Sequence, residues 1–398
     1  MEKKDFNKKA VLFIVFFTIT IGNGKYILDR FGNKIEYIGL LILLLSALLD
    51  VFFNFFKNKK EFKKNIKMIL LSIIMSIGAF HYDIATVSKM TILLSSLLLL
   101  NYSRFSEIFI DNNAKIKIIG DALIFGMLIN SIIGILTGTL GLHYNSGLSF
   151  IKILFLSGMK VKNYCGGIWL TSYILYYVHY YINGTLKKHR IRFAILTILL
   201  LLSGSKGAIL LAIIFLFCIN YKKIFNFKGK QGKLVYAIIV VLIITGGVYV
   251  YNNFLVNIST YAYRMRGMNK LLDIYKNDVS KLIYGMSNIA YDNTGFDYTI
   301  NMRNFFGWDA SVEMAYVNIL IKNGLLGLLV YFIVFKDIIK KYKNTSRKTK
   351  SIVYSILVVM LLSGFTETYI ASIHYVVGPT LFCLINGIKC DNKLEEEK

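Results

Sequence analysis

Residues 35–56, IEYIGLLILLLSALLDVFFNFF, run straight into residues 57–64, KNKKEFKK. This junction decides the fold. A helix needs about 20 apolar residues to cross a bilayer, and the first stretch is that long. The second is a lysine cluster of the kind that marks the cytoplasmic end of a span. The pattern recurs on both sides. Apolar runs cover Ala10–Gly22, Met68–Val87, Lys89–Ser103, Ile118–Gly138, Tyr164–Ile182, Phe193–Ser203, Ala208–Asn220, Leu234–Tyr251, Val312–Phe335, Ser351–Ile370 and Val376–Ile388. With Ile35–Phe56 they predict an all-α polytopic membrane protein with about twelve transmembrane helices. Residues 1–398 then form a single polytopic domain.

Composition agrees with this. Of 398 residues, 56% are apolar and 17% charged, and the mean hydropathy is +0.56. Soluble domains carry about 25% charged residues. Four cysteines (Cys165, Cys218, Cys383, Cys390) lie in apolar runs or the tail, which does not suit a disulfide scaffold. The net charge of +25 does not point to nucleic acid. The basic residues punctuate apolar runs and form no single basic face.

Charge also predicts topology. Most of the 47 Lys and Arg residues fall in segments 1–9, 57–67, 101–117, 183–192, 221–233, 336–350 and 389–398. The positive-inside rule puts these segments in the cytoplasm, with both termini. Met1–Lys9 followed by Ala10–Gly22 resembles a signal peptide without a cleavage site, and is expected to act as a signal anchor. Phe193–Asn220 lies between two basic clusters and must cross an even number of times. Two short helices are expected there, with Lys206 near the outer surface between them. A large extracytoplasmic loop is expected between spans nine and ten, residues 252–311. It is rich in Tyr, Asn and Gly and carries Arg264, Arg266 and Arg303.

No Walker A, paired CxxC, HExxH or GxSxG motif is present, and the five histidines are scattered. No metal site and no cofactor are expected. The outward cations suggest chemistry more directly. Lys89, Lys206 and Lys322 stand at or near span ends, and Lys160, Arg264, Arg266 and Arg303 lie on the same side. Cations converging at a membrane surface suit a lipid pyrophosphate, through charge-assisted bonds to its oxygens. The plainer account is that the lysines snorkel to headgroups and the arginines cover a loop surface. Glu313, just after Asp309, opens the span Val312–Phe335. A carboxylate at the rim of a membrane cleft suits a general base, although an acid at a helix N-terminus also complements the helix dipole. Glu367 and His374 end the eleventh span on the outer side, where they either line the same cleft or, the favoured expectation, simply sit at the interface.

Two stretches resemble the O-antigen and capsule polymerase (Wzy) and O-antigen ligase (WaaL) superfamily. Leu199–Leu210, LLLLSGSKGAIL, is similar to the family's apolar run, Ser-Arg-Gly, apolar run, with Lys206 in the place of the arginine. Glu313–Tyr331, EMAYVNILIKNGLLGLLVY, is similar to its closing motif, a polar residue followed by a Gly-rich apolar helix. Glu313 stands where ligases commonly carry histidine, which favours a polymerase. Weaker likenesses are Arg264-x-Arg266 followed by Tyr284-Gly285-Met286, the outer segment Gly158–Gly167 with Lys160 or Lys162, and Lys89 opening a short helix.

The resemblance implies an inverting, metal-independent glycosyltransferase of the GT-C-like membrane class. It would join undecaprenyl-pyrophosphate-linked repeat units on the outer face of the cytoplasmic membrane. Glu313 would be the base, with Asp309 as the alternative. Arg264, Arg266, Arg303, Lys206, Lys160 and Lys89 would hold the pyrophosphate. Membrane lipid, a flippase and a chain-length regulator are implied as partners. A ligase and a twelve-span transporter are the competing expectations.

Overall fold

The computed structural model describes residues 2–81, 86–148, 151–160, 162–224, 245, 259–286 and 314–389. In chain order the helices are α1 (Glu2–Gly22), α2 (Lys25–Phe31), α3 (Lys34–Asn54), α4 (Lys59–His81), α5 (Thr86–Phe109) and α6 (Lys115–Leu136). After a hairpin come α7 (Lys162–Ile182), α8 (Arg190–Leu202) and α9 (Lys206–Ile224). The remaining helices are α10 (Ser259–Asn277), α11 (Val279–Tyr284), α12 (Ala315–Tyr342), α13 (Arg347–Thr366) and α14 (Val377–Gly387). Every predicted apolar run lies largely on one of these helices except 234–251, which apart from Thr245 is outside the described residues.

Among the described residues, four helices are long and apolar enough to cross a membrane: Lys34–Asn54, Lys115–Leu136, Ala315–Tyr342 and Arg347–Thr366. Four such helices in one chain mark a membrane protein. In hydrocarbon the backbone must satisfy its own hydrogen bonds, which a helix does within itself.

The side chains support this. On α3, Gly39, Leu40, Leu43, Leu44, Ala47 and Val51 are buried. Ile38, Leu41, Leu45, Leu49 and Phe52 point outward at helical spacing, and Phe52 is 78% exposed. A similar outward stripe runs along α6 through Phe125, Leu128, Ile132 and Ile135, and along α8 through Ile191, Ile195 and Ile198. Apolar stripes of this length are not the surface of a water-soluble domain; they fit hydrocarbon.

Packing between helices uses small residues. α1 lies between α3 and α6. A Cβ on Gly39 would stand 2.7 Å from the Val15 carbonyl oxygen, and one on Gly126 would stand 2.8 Å from Thr20. With no hydrophobic drive between helices in lipid, such close approach supplies the dispersion energy that holds them.

Among the described residues one β-hairpin departs from the all-α expectation. Strands β1 (Gly141–Leu148) and β2 (Ile151–Ser157) pair antiparallel. The register runs from Gly141 opposite Ser157 to Leu148 opposite Ile151, with an irregularity between Asn145 and Leu148.

Ion pairs identify one end of the bundle. Lys8 of α1 pairs with Asp111 at 2.9 Å, and buried Lys115 with Asp5 and Asp111 at 2.7 and 2.6 Å. Nearby, Arg104 of α5 bonds Asp50 of α3 at 2.8 Å and Glu61 of α4 at 2.6 Å. These residues belong to the predicted basic segments or flank them. The helices α1, α4 and α6 run from this end toward the other, where the candidate site lies.

Candidate functional site

The site is built on the turn between α8 and α9, Ser203-Gly204-Ser205-Lys206-Gly207. Gly204 reverses the chain with φ 65°, a conformation that favours glycine. Ser203 Oγ donates to the Leu200 carbonyl at 2.6 Å and accepts from the Ser205 N–H at 3.3 Å. Both serines are buried, while Lys206, the first residue of α9, is exposed. The expected arrangement of two short helices around an exposed Lys206 is therefore present.

Three other elements close on this turn. Ser205 Oγ donates to Asn163 Oδ1 of α7 at 3.5 Å, and Asn163 Nδ2 donates to Glu367 Oε2 at 3.3 Å. The Tyr369 hydroxyl donates to the Asn163 carbonyl at 3.1 Å. Glu367, just after α13, is only 7% exposed. A Cβ on Gly207 would come 2.7 Å from its Oε1, so glycine there lets the carboxylate approach the first turn of α9. A carboxylate at a helix N-terminus is stabilised by the orphan N–H groups and the dipole. The Glu367 carbonyl accepts from the Ala315 N–H at 3.1 Å, which fastens the start of α12 to the same place.

The segment joining α13 to α14 reaches a second buried carboxylate. His374 Nδ1 hydrogen-bonds Glu36 Oε1, and Asn23 Nδ2 donates to Glu36 Oε2 at 3.3 Å. Glu36 is 1% exposed in α3. Tyr331 of α12 donates to the Ile370 carbonyl at 2.8 Å. Residues 367–376 thus tie α3, α7, α9 and α12 together at one end.

The other described cations lie toward this end and are spread apart. Lys160 is exposed and 3.6 Å from Asp29, an exposed pair that contributes little. Lys89 lies in the first turn of α5 and is half-buried. Arg264 and Arg266 both lie on α10, Arg264 half-buried and Arg266 exposed. Two residues apart on a helix, they face different directions and cannot grip one phosphate together from a single face. Glu313, Asp309 and Arg303 lie outside the described residues. Ala315, two positions beyond Glu313, is the nearest described backbone with a bond to Glu367.

α11 has no buried residue, but Gly285 and Met286 just after it are buried. Asp278 caps the helix, accepting the Ser280 N–H at 3.1 Å. Bonds from Ser280 and Lys281 hold its carboxyl below the usual carboxylate range. Beyond α11, the Met286 N–H donates to the Ile321 carbonyl of α12 at 2.6 Å. That carbonyl is available because α12 breaks at Gly324, φ 63° and ψ −161°. Asn323 Nδ2 on the same break donates to the Met75 carbonyl of α4 at 2.9 Å, and His81 stacks on Tyr284. Lys322 therefore sits beside the break, inside α12.

Tyr369 carried no signal in the sequence, whereas Ser205 belongs to the Ser-Lys-Gly run and Asn163 to the outer segment Gly158–Gly167 noted above. Glu36 did carry one, a carboxylate inside an apolar run, and such residues mark functional positions in membranes. Among the described residues no group of three or more His, Cys, Asp or Glu side chains is arranged to hold a metal ion. The chain matches no family model, no curated protein and no solved structure.

Proposed function

We propose that this chain is a polysaccharide polymerase of the cytoplasmic membrane, a multi-pass GT-C-like protein with about twelve spans and both termini in the cytoplasm. It joins undecaprenyl-pyrophosphate-linked oligosaccharides into O-antigen, capsule or exopolysaccharide on the outer face. The observation that carries the reading is the turn at Lys206. An exposed cation opens a helix whose first turn is fixed by Glu367, Asn163 and Ser205. A cation held in advance of the reaction is what a developing pyrophosphate charge requires.

In this mechanism the acceptor hydroxyl oxygen attacks the anomeric carbon of the donor, with inversion. Its proton passes to Glu313, or to Asp309 in the alternative assignment. The glycosidic bond to undecaprenyl pyrophosphate breaks, and the leaving group departs toward Lys206, Lys160 and the arginines Arg264, Arg266 and Arg303, with Lys89 behind them. Because Arg264 and Arg266 face different directions, only one of them meets a given phosphate. Glu367 is a positioning residue, since it holds the turn and stands apart from Glu313 in sequence. Donor and acceptor glycolipids, a flippase and a chain-length regulator are the partners of this reading; nucleic acid is not.

Deleting the gene in its host and resolving lipid-linked and surface glycans tests the proposal. Single repeat units on the carrier are expected. Glu313→Gln is expected to reproduce the deletion. Lys206→Ala is expected to shorten and thin the polymer by about a hundredfold in yield, the typical effect of removing one charge-stabilising group, and Lys206→Arg to retain it. Full-length polymer stranded on the carrier would instead mean a ligase, and unchanged polymer with Glu313→Gln would remove the base assignment.

One observation favours a transporter as the second reading. α12 is interrupted at Gly324, and transporters place substrate at such interruptions. Repeat units trapped on the cytoplasmic side after deletion would support that reading over the first.

A further inference from the structure

The opposite end of the bundle holds a cavity of about 200 Å³ between α4, α5, α12 and α14. Its wall is apolar, formed by Met68, Leu71, Leu99 and Val334 among others. Its rim carries Lys64, Lys67 and Lys341, with the carboxylates of Glu107 and Asp337 beside them, so it is positive on balance. Asn65 also lines it. Asn65 is 1% exposed, and its Nδ2 group has no hydrogen-bond partner. A buried amide donor left unbonded costs free energy, on the order of 1–3 kcal/mol, unless something in the cavity accepts from it.

The rim lysines are held loosely. Lys64 bridges to Glu107 of α5 at 2.7 Å and Lys67 to Asp337 of α12 at 2.5 Å, and all four side chains are 39–50% exposed. Lys341 Nζ donates to the Asn386 carbonyl at 2.6 Å. Exposed ion pairs contribute at most about 1 kcal/mol, so an incoming phosphate can recruit the Lys64 and Lys67 ammonium groups at small cost. Arg104, deeper in, is committed to Asp50 and Glu61.

We infer that this cavity binds an anionic phospholipid. The phosphate lies among Lys64, Lys67 and Lys341, the polar glycerol region accepts from Asn65, and one acyl chain follows the apolar wall. A cationic rim, an unbonded donor beneath it and an apolar wall match the order of groups in a phospholipid. A soluble phosphate would leave the apolar wall unused. Basic pockets between transmembrane helices are suited to such headgroups. Bound there, the lipid bridges α4 and α12.

The test uses the full chain, purified and placed in nanodiscs of phosphatidylcholine with a few per cent phosphatidylglycerol. Co-purifying lipid is measured by native mass spectrometry after partial delipidation. The wild type is expected to retain phosphatidylglycerol over phosphatidylcholine. Each lysine near an anionic headgroup is worth roughly fivefold in affinity. Lys67→Gln alone should therefore lose about fivefold, and Lys64→Gln/Lys67→Gln/Lys341→Gln about a hundredfold. Lys57→Gln/Lys59→Gln/Lys60→Gln alters exposed lysines at the same end that do not line the cavity, and should lose little. Equal retention of the two lipids would overturn the inference. So would equal losses in the two triple variants, which would mean diffuse surface charge. Complete displacement of phosphatidylglycerol by millimolar inorganic phosphate would also overturn it, because the site would then recognise the free anion.

Discussion

Gly324 and Gly32 both adopt positive φ, at 63° and 58°, but their surroundings differ. A Cβ on Gly32 meets nothing within 4 Å, whereas one on Gly324 would stand 2.2 Å from the Ile283 carbonyl oxygen. Alanine at Gly32, with ψ −150°, costs only the penalty of a positive-φ backbone that glycine alone adopts readily, about 1–3 kcal/mol. Alanine at Gly324 adds an overpacking cost of about 1–3 kcal/mol, because backbone atoms yield little. Thermal unfolding in detergent should therefore show a clearly larger drop for Gly324→Ala. Equal drops would mean that the segment after α11 does not seat against the break. The sequence shows Gly324 only as part of a Gly-rich apolar helix. The break depends on Gly285 and Met286, some forty positions earlier, and local spacing does not encode that contact. Lys206 was legible because a cation between two apolar runs has few places to go. Tyr369 was not, because an aromatic residue in an apolar chain has many roles until its partner, the Asn163 carbonyl, is known.

At the scale of one element, α3 shows how much a hydropathy pattern delivers. The run Ile35–Phe56 predicted the helix within two residues of Lys34–Asn54. The run is apolar on every side, so it did not predict which face is packed. That division comes from Gly39, whose missing side chain admits Val15 and Ile19 of α1. Leu45 then lies on the outward face at mid-helix, 55% exposed, and Leu43 on the packed face, fully buried. Leu45→Arg should lower insertion by about 2.5–3.5 kcal/mol, the cost of a basic side chain at the centre of a span, read in a glycosylation-mapping insertion assay. Leu43→Ala should insert normally and lower the unfolding temperature, since it leaves a cavity worth about 2–5 kcal/mol. If Leu45→Arg inserted as well as the native helix, Leu45 would not face hydrocarbon. α1 shows the limit of run lengths at an end. Its helix begins at Glu2 and not at Ala10, because Asp5 and Lys9, one turn apart, bond each other at 2.7 Å and continue the helix into the basic segment.

Across the whole molecule, the two ends are chemically distinct, and charge counting separated them without any coordinates. It could not show how the basic end is held together, since pairing across 40 to 110 positions leaves no local trace. Lys115 of α6 holds Asp5 of α1, Lys8 of α1 holds Asp111, and Arg104 of α5 holds Glu61 of α4. The three carboxylates lie outside the apolar runs. Lys115 and then Lys9 draw the Asp5 carboxyl down to about 2. The Arg104 bond holds Glu61 below its ordinary value. Burial pushes Asp111 upward, but Lys115 and Lys8 outweigh it, so it too lies low. A carboxyl with a folded pKa below its unfolded one stabilises the fold at any pH above the unfolded value, and loses that contribution as pH falls toward the folded value. Stability in detergent should therefore be level from neutrality to about pH 5 and fall between about pH 4 and pH 2. Asp5→Asn should lower the neutral plateau and make the acid limb shallower, because one of the protonations that drives it is gone. The same acid limb in Asp5→Asn as in the native chain would show that Asp5 and Lys115 do not hold α1 to α6 in solution.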